Sequence, residues 1–392
     1  MISIPEAISI VKHSSKPLLK ETIKRVEKAG GYFLFKDIIS PINMPPFRQS
    51  AMDGYALNLH DNLTYTLIGE IKAGDGHRPT LKKGEAVRIF TGAAVPDSAN
   101  AVMMQEKVSK TGHSITLEIQ AHTQQNIRPL GEQVKTGDIA LKKGTKLTPA
   151  AIGYLISLGI TEVSVFKKPN IALVTTGNEL VEAGQELTFG KIYESNSKML
   201  LSALYSLKFY DVTRYKVEDN YAKTIETLQT AINNNDLVLI TGGISVGDYD
   251  FVGKALNELK VQELFYKVKQ KPGKPLFYGK KNDTQIFALP GNPAAALSCF
   301  YIYVFIALQK LMNRDAEELP RVTAKSVSSF KKKGDRPQFL KAIYSNGTVE
   351  ILEGQNSSML QTFALSNALV YAPETVTDIN EGDTIEVILL PI

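Results

Sequence analysis

Two rhythms of apolar and polar positions divide the chain near residue 168. Before that point the apolar runs are short and broken by glycine and proline: "YTLIGEI" (65–71), "AVRIFTG" (86–92), "AVMMQEKV" (101–108) and "SITLEI" (114–119). Runs of this length between turn residues predict strands. Helical periodicity is confined to residues 16–29 and 149–158. The second of these opens on Thr148-Pro149, the residue types of an N-cap and a first helical position. The stretch 1–168 therefore reads as mixed α/β, with a β-rich insertion over roughly 45–132.

From Asn170 strand-like and helix-like segments alternate. "IALVTT" (171–176) and "DLVLIT" (236–241) are continuous apolar runs, and "DVTRYKV" (211–217) alternates. Helices are predicted from Ser195 or Asn196 to about Lys208, over the amphipathic "YAKTIETLQTAINNN" (221–235), from about Phe251 to Lys260, and from Pro293. "LFYKVK", "PLFYG" and "QIFALP" add strands. Such alternation implies right-handed crossovers and a mostly parallel sheet covered on both faces, over 169–318. After Pro320 short strands and turns return and end in "DTIEVILLP", which predicts a small C-terminal β domain over 319–392.

Composition narrows the class. At 392 residues the chain exceeds what one core organises, and 43% apolar with 22% charged residues is an ordinary globular balance. A net charge of +5 suits an anionic small molecule as well as anything, whereas a nucleic-acid binder more often shows a clustered basic face. The single cysteine, Cys299, excludes an internal disulfide and a cysteine-cluster metal site. The five histidines have no metal-ligand spacing. No basic-then-apolar leader opens the sequence, and the apolar stretch Ala294 to Leu308 is shorter than the roughly 20 residues of a bilayer span. The expectation is a cytoplasmic protein with no membrane partner.

Four turn-rich segments carry the chemistry: "TTGNEL" (175–180), "TGGISVGDYD" (241–250), "KPGKP" (271–275) and "LPGNP" (289–293). Loops that follow parallel strands collect at one sheet edge, where open α/β sheets bind ligands. "KPGKP" is the least secure of the four, because antiparallel strands could flank it. Gly242, Gly243 and Gly247 would let backbone N–H groups approach an anion, and Lys271 and Lys274 add positive charge. Glu179, Asp219, Asp248 and Asp250 supply carboxylates. Cations and carboxylates round one glycine-lined cleft suggest a phosphate bound with Mg²⁺. "GGISVG" lacks the spacing of a dinucleotide fingerprint, and no lysine followed by serine or threonine stands where a P-loop needs it. Singly, each residue has a plainer reading. Asp53-Gly54 can be a turn, Asp250 a helix cap, Glu179 half of an ion pair, and Cys299 a core residue.

In this order, "SPINMPPFRQSAMDGYAL" (40–57), "GEAVRIFTGAAVP" (84–96), "NIRPLGE" (126–132), "TTGNEL", "GGISVGDYD", "KPGKP" and "LPGNP" resemble the molybdopterin molybdenumtransferases. This is the MoeA group, which includes the E-domain of gephyrin. The resemblance runs over essentially the whole chain. It implies a four-part subunit with a molybdopterin-binding α/β domain and a β-barrel-like C-terminal domain, assembled as a homodimer. It also implies a transferase that inserts molybdate into adenylyl-molybdopterin with Mg²⁺ and releases AMP, working with other proteins of molybdenum cofactor biosynthesis. By motif, Glu179, Asp250 and Asp219 would serve the metal. Lys271, Lys274 and Asp53 would join them in catalysis. Gly242, Gly243, Ser245, Gly247, Asp248 and Lys267 would bind the cofactor precursor, and Pro290 and Pro293 would shape the molybdate pocket. Thr91 and Arg128, like Asp53, match positions supplied at a dimer interface, while Arg336 and Ser357 match C-terminal positions facing molybdate.

Three departures stand out: Gln133 where the family has an acid, Asn178 where it has aspartate, and Asn356 and Ser358 where it has glycines. Two alternatives share the fold. One is an adenylyltransferase that makes the adenylated precursor, which the large N-terminal and C-terminal regions disfavour. The other is a non-catalytic carrier or scaffold, which only Gln133 favours.

Overall fold

The computed structural model describes residues 1–244, 251–314 and 318–392. They form two compact units, Thr22–Val165 and the remainder, in which Met1–Glu21 groups with Phe166–Ile392.

In the smaller unit the expected strands form one six-stranded sheet. Its order is Ala101–Met104, Gly54–Leu57, Glu85–Ile89, Thr64–Ile71, Ser114–Leu117 and Val108–Thr111. Alternation sends Tyr55 and Leu57 into one buried cluster and Ala56 into another, so the sheet has a core on each face. The helix Pro149–Ser157 starts as its residues predict, with the Thr148 hydroxyl accepting from the Ala151 N–H at 3.2 Å. Thr148→Ala should lower the stability of this unit by about 1 kcal/mol. Urea denaturation would measure it, and an unchanged midpoint would show the cap to be idle.

The helix expected over 16–29 is not there. That stretch holds a strand, Glu21–Arg25, and a 3₁₀ turn, Val26–Lys28. The strand pairs with Glu162–Phe166, and its own burial alternates, so the period is two rather than 3.6. The first helix is instead α1, Ile4–Ser14, started by a reciprocal Ser3–Glu6 capping box. Its buried face of Ile4, Ala7, Ile8 and Val11, the bond from Leu18 N–H to the Leu311 carbonyl (3.0 Å) and the Lys12–Glu318 pair (2.9 Å) all tie it to the larger unit. The break between the compact units at 165/166 lies close to the expected boundary at 168, while the first 21 residues group with the larger unit, which is not divided at 318.

The larger unit is built on a second six-stranded sheet: β1 (Ile171–Thr176), β2 (Val212–Val217), β3 (Leu237–Thr241), β4 (Gln262–Tyr266), β5 (Phe277–Lys281) and β6 (Thr284–Leu289). Their order across the sheet is β2-β1-β3-β6-β5-β4. Strands β2, β1, β3 and β6 are parallel, and β5 is antiparallel to both β4 and β6. Helices of the expected placement join them: Asn196–Ser206, Tyr221–Asn234 and Phe251–Glu258. The helix Pro293–Leu311, with a π-helical turn at Phe300–Val304, is 19 residues long with mean hydropathy 1.6. It is long and apolar enough to cross a membrane, yet 89% of its most apolar 18-residue stretch is buried within the protein, as a core helix would be. Near the C-terminus, strands Arg321–Ser326, Thr348–Ile351, Gln338–Ser345, Ala368–Ala372 and Thr384–Leu389 close a barrel in that order.

Candidate functional site

Strands β1, β3 and β6 end level with one another, since Thr175 pairs with Thr241 and Thr241 with Leu289. The chain steps from β1 outward to β2 and then back across β1 to β3, so strand order reverses between β1 and β3. Outside their carboxyl ends lies a cavity of ≈ 790 Å³. It occupies the place where open α/β sheets bind ligands. "KPGKP" reaches the same edge despite its antiparallel neighbours. Two antiparallel steps leave β4 running in the same direction as β6, and the loop follows β4.

The floor is made by close packing at the strand ends. Gly242 and Gly243 have φ of +86° and +62°, and a Cβ on Gly242 would sit 2.4 Å from the Thr176 carbonyl oxygen. No L-side chain fits there. Three polar oxygens at this floor have no protein partner among the described residues: Thr176 Oγ1, Thr241 Oγ1 and Asn196 Oδ1. Thr176 and Thr241 are 4% and 2% exposed. Buried polar groups are nearly always hydrogen-bonded, so these three oxygens at the cavity floor call for a polar partner beyond the described residues. Asn196 is held by its Nδ2 donating to the Gly291 carbonyl at 2.7 Å. The cap of its helix is not Ser195, whose side chain makes no capping bond. Instead the buried Glu194 carboxylate accepts from the Ser197 N–H (2.7 Å) and hydroxyl (2.6 Å).

The lysine turn is braced from beneath by Gln270, which is 1% exposed. Its Nε2 donates to the Pro272 and Gly273 carbonyls, each at 3.1 Å, and its Oε1 accepts from the Tyr303 hydroxyl. Cys299 lies against the same amide at 3.4 Å. Burial pushes its thiol up to about 12, so it remains protonated and unreactive at neutral pH. From the barrel side, Lys271 N–H donates to the Pro337 carbonyl and Phe339 N–H to the Lys271 carbonyl, both at 2.9 Å. Arg336 donates to the Gln270 carbonyl at 3.1 Å, and Asn292 Nδ2 donates to the Ser357 hydroxyl at 2.8 Å. The charged lining among the described residues is thus Lys271, Lys274 and Arg336 against Glu179. The excess is positive, which suits an anion.

Of the residues singled out by sequence, this cavity gathers Glu179, Gly242, Gly243, Lys271, Lys274, Pro290, Arg336 and Ser357. Ser245, Gly247, Asp248 and Asp250 lie outside the described residues. In the larger unit three others do not reach the lining. Asp219 is engaged with Asn178 in a reciprocal pair, each backbone N–H donating to the other's side-chain oxygen at 3.0 Å. The Lys267 ammonium lies 4.7 Å from the centroid of the Tyr266 ring. Pro293 opens the long helix at its first turn. In the smaller unit Asp53 and Thr91 meet, since Asp53 Oδ1 accepts from both the Thr91 N–H and hydroxyl at 2.7 Å. Those bonds, the backbone one first, hold the Asp53 carboxyl below its ordinary range. Arg128 lies on the strand Ile127–Arg128, opposite Gln49. No cluster of three His, Cys, Asp or Glu side chains able to hold a metal occurs among the described residues, which do not include Asp250.

Sequence reading missed Thr176, Thr241, Asn196 and Gln270. The threonines carried a faint signal as polar residues closing otherwise apolar strands. Gln270 carried none.

Against known proteins, residues 2–159 match the family described as MoeA N-terminal region (domain I and II). Residues 172–311 match a probable molybdopterin binding domain, and residues 323–390 the MoeA C-terminal region (domain IV). A molybdopterin molybdenumtransferase of Haemophilus influenzae is 35% identical, over 92% of each chain. One from Staphylococcus epidermidis is 32% identical over 97% of this chain and 95% of its own. The crystal structure of a molybdopterin biosynthesis MoeA protein from Pyrococcus horikosii superposes with a TM-score of 0.84 at 28% identity, covering 99% of both chains. With three successive domain matches and relatives of this identity over nearly its full length, the chain belongs to the MoeA, or molybdopterin molybdenumtransferase, family.

Proposed function

We propose that this protein inserts molybdate into adenylyl-molybdopterin, releasing AMP and giving Mo-molybdopterin. The observation that carries the reading is the cavity itself. Among the described residues, three cations, one carboxylate and three unpartnered oxygens meet at a parallel-sheet edge large enough for more than one anion. The substrates are a phosphoanhydride and an oxyanion, which repel each other when held together. Lys271, Lys274 and Arg336 would offset that repulsion and stabilise charge building on the leaving phosphate as water cleaves the anhydride. The Thr176 and Thr241 hydroxyls would donate to ligand oxygens, and Pro290 and Ser357 would bound the molybdate end.

The donor set also suits Mg²⁺. Glu179 and the orphan oxygens of Thr176, Thr241 and Asn196 are hard oxygen ligands, and this ion commonly takes one or two carboxylates together with substrate phosphates. Glu179 would hold it with Asp250, and Asp219 would orient the Asn178 loop from behind. When bound, the ion would neutralise phosphate charge. A homodimer, in which Asp53, Thr91 and Arg128 serve the second copy's site, and a cytoplasmic location complete the proposal.

The test supplies purified protein with adenylyl-molybdopterin, Mg²⁺ and molybdate. AMP release that depends on molybdate is the expected result. Adenylation of molybdopterin from ATP would replace this reading with an adenylyltransferase, and ligand retention without turnover would replace it with a carrier.

A further inference from the structure

Lys341 is an unusual residue to find buried on a barrel strand: its neighbours Leu340 and Ala342 pack in the barrel core, so Lys341 faces the other way, out from the barrel. It sits on the strand Gln338–Ser345, is 3% exposed, and no carboxylate engages it among the described residues. A buried charge without a counter-ion is costly unless its donors are all used. Here they are. The ammonium donates to the carbonyls of Gly354 (2.7 Å), Asn356 (3.1 Å) and Met359 (3.1 Å). Burial lowers its pKa to about 8, so at neutral pH it keeps all three protons for these three acceptors. A second clasp sets the same loop against the backbone of Lys341. Gln355 Oε1 accepts from the Lys341 N–H, and Gln355 Nε2 donates to the Lys341 carbonyl, both at 2.9 Å.

The tethered loop is the one that lines the cavity with Asn356, Ser357 and Ser358. Its carbonyls are drawn back to the ammonium, while the Ser357 hydroxyl meets Asn292 from the sheet edge. A loop pulled by its acceptors leaves its donors for whatever fills the cavity. We propose that Lys341 is a positioning residue: by holding the carbonyls of Gly354, Asn356 and Met359, its ammonium sets Asn356-Ser357-Ser358 as the wall that receives the oxyanion. The inference rests on the reading of the cavity as a molybdate site.

Lys332 provides an internal control. It is also a buried lysine of the C-terminal region, 7% exposed, but it donates to the Pro373 and Glu374 carbonyls, which do not line the cavity. Full-length wild type, Lys341→Met, Lys341→Arg and Lys332→Met would be compared by hydrogen exchange without ligand and by equilibrium dialysis with molybdate alone. Lys341→Met should speed exchange across 354–359 and weaken molybdate binding, each by about tenfold. Lys332→Met should change neither. Unchanged exchange in Lys341→Met, or the same loosening in Lys332→Met, overturns the tether; loosening without weaker molybdate binding overturns its role in the site. If Lys341→Met does not fold, Lys341→Arg keeps the charge but not the three-donor geometry. Faster exchange with weaker binding in that variant supports the proposal, and either change alone overturns it. A wild type that binds no molybdate would defeat the proposed function, while the exchange comparison would still decide the tether.

Discussion

Lys271→Met should reduce molybdate-dependent AMP release by about a hundredfold to a thousandfold, the scale of losing one preorganised charge-stabilising donor. Its stability should barely change, because Lys271 has separate tasks for backbone and side chain. The backbone N–H and carbonyl are bonded to Pro337 and Phe339, and these bonds survive the substitution. The side chain lines the cavity, and no ion pair holds it among the described residues. The loss should therefore be kinetic, with an unaltered urea midpoint. Lys271→Arg keeps the charge and should recover part of the rate. Turnover within threefold of wild type in a folded Lys271→Met protein would remove this lysine from the chemistry.

Gln270→Leu should instead act through stability. The substitution is close to isosteric, but it leaves the Tyr303 hydroxyl without its acceptor and the Pro272 carbonyl without its donor, and the Gly273 carbonyl keeps only the weak Cys299 Sγ contact at 3.9 Å. Unsatisfied buried groups cost about 1–3 kcal/mol each, so a loss of roughly 3 kcal/mol or more is expected. The chain has 16 tyrosines and no tryptophan, so urea unfolding followed by tyrosine fluorescence is the suitable probe. Activity should fall with stability, since the same amide shapes the turn that carries Lys271 and Lys274. A cost below about 1 kcal/mol would mean that the bonds to Pro337 and Phe339 hold the turn without Gln270.

Most of the α/β part was legible in the residues because its signals are local. Continuous apolar runs such as "IALVTT" and "DLVLIT" can be little other than buried strands between helices of crossover length. The misread stretch at 16–29 shows where local signals fail. Its alternation was short enough to be taken for a helical face, and its pairing partner lies nearly 140 residues further on, at Glu162–Phe166. The site divides along the same line. Glycine and proline turns advertise themselves, so Gly242, Gly243, Lys271 and Pro290 could be picked out in advance. Asp219 could also be picked out, but not the fact that its carboxylate is engaged by the Asn178 loop.

What the sequence determined by itself was the kind of chemistry: which turns follow which strands, and that cations and glycines gather there. Tertiary structure alone decided which side chains face the cavity and which work behind it. Gln270 and Lys341 act through carbonyls brought near by folding, and a backbone carbonyl has no residue type that a sequence could reveal. The orphan threonine hydroxyls are the same case from the other side. Whether a strand-end threonine is satisfied depends on what packs over it, and that is settled only when the strands stand side by side.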